Sequence, residues 1–234
     1  MDRFPTTRIS AVAGARSADR EVRERAFGTL AAAYWRLVCA YVRLRWSRSQ
    51  ADAEDLAQSF FLRALEKEFF ARFDPAKARF RTFLRVCLDG YLANEDKAAG
   101  RAKRGGDVVH VAMDAAALEV PSQDSVERAF EVEWIRGVFE MGVERLKAAC
   151  EASEKSVAWE VFRRHDLHEG DEPRPSYAHL AATLAIPVTQ VNNHLAWARR
   201  EFRRGVLDVL REITATEEEF RAEARVLLGT DEVR

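Results

Sequence analysis

The sequence is poor in residues that break helices, with eleven glycines and six prolines among 234 residues. A turn-dense all-β fold needs more of both, so the scarcity favours an all-α fold. The three cysteines, Cys39, Cys87 and Cys150, are far apart and include no CxxC pair, which excludes a disulfide framework and a cysteine-based metal knuckle. No apolar run approaches the roughly 20 residues that cross a bilayer, and the first ten residues lack a signal-peptide core. We therefore expect a cytoplasmic protein with no membrane insertion.

The formal net charge of −1 conceals a strong segregation of charge along the chain. Residues 1–106 carry 21 basic and 13 acidic side chains, residues 107–125 carry four acidic and no basic ones, and residues 176–212 return to a basic excess. Two basic segments on either side of an acidic connector indicate two separate contacts with an anionic partner. Chance variation among solvated faces explains the same numbers equally well.

Hydrophobic periodicity predicts helices in two blocks. Apolar residues recur every three or four positions from residue 19 to about residue 98, and again from residue 126. Gly105 and Gly106 end the first block, and an acidic, irregular stretch follows. We predict two small helical domains over 19–106 and 126–212, an N-terminal extension over 1–18, a linker over 107–125 and a C-terminal helical extension over 213–234.

Two helices around a very short turn at Ile186, from Ser176 to Ala185 and from Pro187 to Leu210, indicate a helix-turn-helix. Four outward side chains near the start of the second helix have the amides and hydroxyl that read base edges: Thr189, Gln190, Asn192 and Asn193. Four arginines further along are suited to phosphates: Arg199, Arg200, Arg203 and Arg204. An ordinary helical hairpin with a solvated polar face is the alternative.

The segment from residue 79 to residue 104 mixes cations with aromatic rings. Its basic residues are Arg79, Arg81, Arg85, Lys97, Arg101, Lys103 and Arg104, and its rings include Phe80, Phe83 and Tyr91. Cations pair with phosphates and rings stack on unpaired bases, so the mixture predicts contact with an exposed nucleic-acid strand. Aromatics at helical spacing also build cores, and we expect Phe83 to be buried.

A third candidate surface is the polar side of the helix that begins near Asp52. The apolar stripe of this helix, from Ala53 to Leu65, follows one face. The residues off that stripe are Asp52, Asp55, Gln58, Ser59 and Leu62. They form either a protein-docking face or an ordinary solvated helix face.

Taken in order, the stretches DAEDLAQSFFLRAL and FRTFLRVCLDGYLANEDKAAGRAKRGG, the acidic linker and the helix-turn-helix resemble the sigma-70 family of bacterial RNA polymerase sigma factors. The closer resemblance is to the extracytoplasmic-function (group IV) type, which keeps only regions 2 and 4. Residues 19–106 then resemble region 2 and residues 126–212 resemble region 4. The implied partners are core RNA polymerase, through its β′ clamp helices and β flap, promoter DNA, and an anti-sigma or other regulatory protein.

The resemblance also implies roles for particular residues. The residues that it implies in polymerase binding are Asp52, Asp55, Gln58, Ser59 and Leu62. Contact with the −10 element falls to Arg79, Arg81, Arg85, Asn94, Lys97, Arg101, Lys103 and Arg104. Contact with the −35 element falls to Thr189, Gln190, Asn192, Asn193, Arg199, Arg200, Arg203 and Arg204. Phe83 stands where the family usually has tryptophan, and the residue that captures a flipped −10 base stays open.

Three other readings compete with a sigma factor. A helix-turn-helix regulator would bind DNA without polymerase and would not need the Asp52 surface, and a degenerate sigma-like adaptor would lack promoter activity. The dipeptide His165-Asp166 is also found in metal-dependent HD phosphohydrolases, but the remaining histidines are not spaced to complete such a site. No P-loop or GxSxG motif is present, so we expect no catalytic residues, no metal and no cofactor.

Overall fold

A computed structural model describes residues 10–104, 123–168 and 173–229 of the chain, with side chains omitted for residues 98–104 and 123–126. The described residues form helices and contain no strand, which confirms the all-α prediction. The helices are α1 (Ala11–Gly14), α2 (Arg20–Trp46), α3 (Gln50–Glu66), α4 (Phe80–Arg104), α5 (Gln123–Ala152), α6 (Ser156–His165), α7 (Tyr177–Leu184), α8 (Val188–Ile213) and α9 (Glu217–Leu228), with a 3₁₀ turn over Phe69–Arg72.

The chain divides into two compact units. The first combines Met1–Gly137 with Glu212–Phe220, and the second combines Val138–Arg211 with Arg221–Arg234. Helix α5 therefore contributes its first half to one unit and its second half to the other. The acidic linker predicted over 107–125 falls almost wholly outside the described residues.

An aromatic cluster forms the centre of the first unit. Phe80, the first residue of α4, is fully buried, and its ring lies 5.2 Å from Phe70, 5.3 Å from Phe73 and 5.5 Å from Tyr34. Phe60 on α3 is equally buried. Edge-to-face aromatic packing of this kind adds to the free energy gained from area burial. The cluster joins α2, α3, the 3₁₀ turn and α4.

Helix α3 begins where the sequence predicted a new helix. The Ser49 hydroxyl accepts a hydrogen bond from the backbone N–H of Asp52 at 3.1 Å, which satisfies one of the free donors of the first turn. The stripe residues Ala53, Ala57 and Phe60 are fully buried. One assignment is wrong: Leu65, counted in the buried stripe, lies at its edge and is 37% exposed.

The second unit contains α7 and most of α8, the two helices predicted on either side of the short turn. Ser176 caps α7 by accepting from the His179 N–H at 3.2 Å, and Ala185 turns the chain in a left-handed conformation with φ of 52°. Val191 and Leu195 of α8 are buried in one cluster with Val161 of α6. This packing fixes the rotation of α8 and therefore which of its side chains face outward.

Within the described ranges, every helix is too short or too polar to span a bilayer.

Candidate nucleic-acid interface

One candidate surface, called here the α3 face, is the outward side of α3. Its five predicted residues, Asp52, Asp55, Gln58, Ser59 and Leu62, are all exposed. Leu62 is 57% exposed, and Leu65 lies one turn further along the same side. The helix therefore presents leucines beside carboxylates, a mixture that suits a partner with basic and apolar side chains.

The outward side of α4 is less basic than the sequence suggested. Its exposed residues follow one another at intervals of three and four: Arg79, Thr82, Val86, Gly90, Asn94 and Lys97. Val86 is 62% exposed. Arg101, Lys103 and Arg104 continue the helix, but their side chains lie outside the described residues.

Arg81 and Arg85 face a different direction, towards the first half of α5. Arg81 Nη1 lies 2.8 Å from Glu131 Oε2, and its guanidinium carbon lies 4.5 Å from the ring centre of Trp134. Arg85 Nη1 lies 3.2 Å from Glu127 Oε1. The Arg81 side chain is only 13% exposed. Both arginines are thus already engaged by α5.

A groove of about 370 Å³ lies between the end of α3, the 3₁₀ turn and α4. Its walls carry three aromatic rings and three cations, together with Asn94 and Glu95. The rings are Phe69, Phe83 and Tyr91, and the cations are Arg63, Lys67 and Arg72. Phe83 is half-buried rather than buried because it forms part of this wall.

The chemistry of the groove suits a nucleotide. Aromatic faces bind a planar base, and cations at the rim bind the attached phosphate. The Arg72 guanidinium lies 5.9 Å from the Phe69 ring centre, so a cation and a ring already share one wall. Burial raises the pKa of the Cys87 thiol, which keeps this thiol neutral in the groove.

The sequence analysis did not predict the groove wall formed by the end of α3 and the 3₁₀ turn. Phe69, Arg63, Lys67 and Arg72 were not assigned to any site, although the stretch from Lys67 to Phe73 concentrates rings and cations as the stretch after residue 79 does. That composition was the available signal. Phe70 and Phe73 both pack on Phe80, and Phe60 of α3 packs on Tyr91 of α4, so that these contacts bring the end of α3 and α4 together.

In the second unit, the start of α8 presents the predicted base-reading residues to solvent. Thr189, Gln190, Asn192 and Asn193 are all exposed, whereas Val191 between them is fully buried. This pattern brings four side chains with hydrogen-bonding groups onto one surface. Side chains with donors and acceptors on one exposed surface have the chemistry that base edges require.

The four arginines of α8 lie in unequal environments. Arg199 donates from Nε and Nη2 to the two Asp166 carboxylate oxygens, both at 2.7 Å, and this hydrogen bonding raises the pKa of Arg199. Arg204 pairs with Glu201 at 2.7 Å. Arg203 is half-buried, whereas Arg200 is exposed and pairs with no acidic residue in the part of the chain that the structure describes. Arg200 is therefore the arginine best placed to meet a phosphate.

The His165-Asp166 dipeptide has structural partners. His165 Nδ1 lies 3.0 Å from the Pro175 carbonyl oxygen, and the imidazole packs edge-on against Tyr177 with ring centres 5.0 Å apart. Asp166 holds Arg199. Residues 169–172 lie outside the described ranges, and the described residues contain no group of three metal-ligating side chains.

Comparison with known proteins gives one match. Residues 30–101 match the family model described as Sigma-70 region 2. The matched span begins in α2 and ends in α4, so it contains the α3 face and every residue that lines the groove. Neither the curated proteins nor the solved structures yield a match. The match makes residues 30–101 similar to region 2 of the sigma-70 family.

Proposed function

We propose that the chain is a sigma factor of the extracytoplasmic-function type, which binds core RNA polymerase in the cytoplasm and directs it to promoters without catalysing a reaction itself. One observation carries the proposal. The α3 face and the aromatic-cationic groove, one suited to a protein and the other to an exposed base, lie next to each other inside the span that matches Sigma-70 region 2.

The α3 face is the proposed docking surface for the β′ clamp helices. Asp52, Asp55 and Gln58 supply the polar part, and the exposed Leu62 and Leu65 supply apolar area. We expect Asp55→Arg to weaken binding to core polymerase while the fold stays intact, because substitutions on an exposed surface cost little stability. Glu151→Arg, an exposed charge reversal near the end of α5, is the matched control. Unchanged affinity of Asp55→Arg for core polymerase would remove this surface from the proposal.

The groove is the proposed site for a flipped base of the −10 element. Phe69, Phe83 and Tyr91 offer the stacking surfaces, and Asn94 offers an amide that reads a base edge. Because Arg81 and Arg85 are engaged by α5, we assign the remaining −10 contacts to Arg79 and Lys97 and to the basic end of α4. Arg101, Lys103 and Arg104 form that basic end.

The start of α8 is the proposed reader of the −35 element. Asn192 and Asn193 have amides that pair bidentately with adenine, and a lost bidentate contact costs about 1–3 kcal/mol of discrimination. Contact of the second unit with the β flap, and control by an anti-sigma factor or another regulatory protein, stay predictions from the resemblance.

Run-off transcription with core polymerase and a library of promoters tests the whole proposal. We expect a defined set of −10 and −35 sequences to be enriched, and Asn192→Ala to change the selected −35 bases. A regulator that binds DNA independently would instead bind duplex DNA tightly without polymerase and would direct no transcript. The proposal would be overturned if no promoter in the library required the added chain for its transcription.

A further inference from the structure

Helix α4, which carries one wall of the groove, begins without a capping residue of its own. The first four N–H groups of a helix have no partner inside the helix and need an external acceptor. Ser, Thr, Asp or Asn usually stands just before the helix and supplies one. Here that position is Arg79, whose guanidinium has donors only.

The acceptor comes from the far end of the chain. The backbone N–H of Phe80 donates to Oε1 of Glu219 at 3.3 Å, across 139 residues of sequence. Glu219 belongs to the segment Glu212–Phe220, which forms part of the same compact unit as the first 137 residues. A carboxylate at this place also complements the partial positive charge of the helix N-terminus.

Glu219 is itself held in place, so this contact is not a chance approach of a mobile side chain. Its Oε2 accepts from the Ala215 N–H at 2.9 Å, and its own N–H donates to Thr216 Oγ1 at 3.1 Å. The next residue, Phe220, is 2% exposed. One carboxylate therefore joins the turn before α9 to the first turn of α4.

The contact lies one helical turn from the groove. Phe80 anchors the aromatic cluster, and Phe83, three residues further along the same helix, lines the groove. An uncapped first turn frays, and fraying here would move the Phe83 ring before any other part of the wall.

We propose that the C-terminal segment of residues 213–220 is a positioning element for the −10 strand, and that Glu219 is its positioning residue. Glu219 acts through Phe80: it fixes the first turn of α4 and so holds Phe83 ready to receive a base. This inference rests on the function proposed for the groove and extends it to a part of the chain outside the matched region 2.

The test uses the full chain and three variants. Glu219→Ala removes the acceptor, Glu219→Gln keeps an acceptor oxygen without the charge, and Glu218→Ala changes the exposed neighbour as a matched control. The first readout is hydrogen exchange of the backbone amides of residues 80–84. Loss of a cap predicts about fivefold faster exchange in Glu219→Ala, a smaller increase in Glu219→Gln and none in Glu218→Ala.

The second readout is binding of the holoenzyme to a fluorescein-labelled single strand that carries the −10 sequence selected in the transcription library. We expect weaker binding for Glu219→Ala, partial rescue by Glu219→Gln and unchanged binding of a −35 duplex in all three variants. If Glu219→Ala fails to fold, amide exchange and strand binding are compared between Glu219→Gln and the wild type instead.

Three results would overturn the inference. The first is wild-type exchange and wild-type strand binding in Glu219→Ala. The second is tighter strand binding in that variant, which would make the segment an inhibitor of the groove. The third is an equal effect of Glu218→Ala. Failure of the wild-type holoenzyme to bind the strand counts against the proposed function instead, and the exchange experiment then still decides whether Glu219 caps α4.

Discussion

Arg81 and Arg200 are the same residue type in opposite surroundings. The Arg81 guanidinium contacts the Trp134 ring and pairs with Glu131, and its side chain is 13% exposed. Arg200 lies on the exposed side of α8. The first arginine is positioned to support the fold, and the second to meet a ligand.

We expect Arg81→Ala to lower the free energy of unfolding by about 1–2 kcal/mol, because a partly desolvated cation–π contact and an ion pair are both lost. Arg200→Ala should stay within about 0.5 kcal/mol of the wild type, as exposed substitutions usually do. It should weaken binding to all promoters equally and lower the salt dependence of that binding. Urea denaturation and fluorescence titration at several salt concentrations measure the two effects. An Arg81→Ala protein of wild-type stability would show that the Trp134 contact contributes nothing.

Glu160 forms ion pairs with two arginines of α6, and these pairs make the free energy of unfolding of the second unit depend on pH in the acid range. Hydrogen bonds from Arg163, at 2.8 and 3.0 Å, and from Arg164 lower the pKa of Glu160 from 4.5 to about 2, against the opposing effect of burial. A carboxyl whose pKa is depressed in the folded state adds stability above its unfolded pKa and loses it as the pH falls. We expect this contribution to disappear between about pH 4.5 and pH 2. Glu160→Gln should flatten the stability profile in that window, and identical acid profiles of the two proteins would contradict the assignment.

At the level of elements, the turn between α7 and α8 contains a strained residue. Ala185 has φ of 52°, a left-handed conformation that disfavours any residue with a Cβ atom and favours glycine after a helix. We expect Ala185→Gly to raise the free energy of unfolding by up to about 1 kcal/mol. Ala182→Gly, placed inside α7 where the backbone is helical, should lower it by about 0.5–1 kcal/mol. Equal effects of the two glycines in chemical denaturation would show that the turn is not strained.

Helix faces were the part of this structure that the sequence predicted well. A 3.6-residue period shows which side of a helix is apolar, so spacing alone predicted the exposure of the α3 face. It also predicted which residues at the start of α8 face outward: Thr189, Gln190, Asn192 and Asn193. Leu65 was misplaced because tertiary contacts decide whether a residue at the margin of an apolar stripe is buried or exposed. The spacing of apolar residues does not show which tertiary contacts form.

Long-range partners could not be predicted in the same way. Arg81 and Arg85 pair with residues of α5 that lie beyond the predicted linker, and nothing in the basic-aromatic pattern distinguishes an arginine facing DNA from one facing another helix. The groove walls from α3 and the 3₁₀ turn, and the Glu219 contact, depend likewise on which elements meet.

For the whole molecule, the basic excess of residues 1–106 predicts a strong dependence of DNA binding on salt. Each phosphate neutralised on a single strand contributes about 0.7 to the slope of log affinity against log salt concentration. Replacing Lys97, Arg101, Lys103 and Arg104 by alanine should therefore lower that slope by up to about 3 and reduce strand opening. Permanganate footprints of the opened promoter, taken across a salt series, measure both. Footprints and slope equal to those of the wild type would leave these four cations as ordinary solvated charges.

The first unit is built from two separated stretches of chain, and this has a consequence for synthesis on the ribosome. Residues 1–137 emerge long before the Glu212–Phe220 segment that completes their unit. At about 5–20 residues per second, translation from residue 138 to the end of that segment at residue 220 takes roughly 4–17 s. During that interval the nascent first unit has Phe80 at the uncapped start of a helix and lacks Phe220 from its interior. A ribosome stalled before residue 212 should accordingly display a first unit that proteases cut within α4, and one stalled well past residue 220 should not.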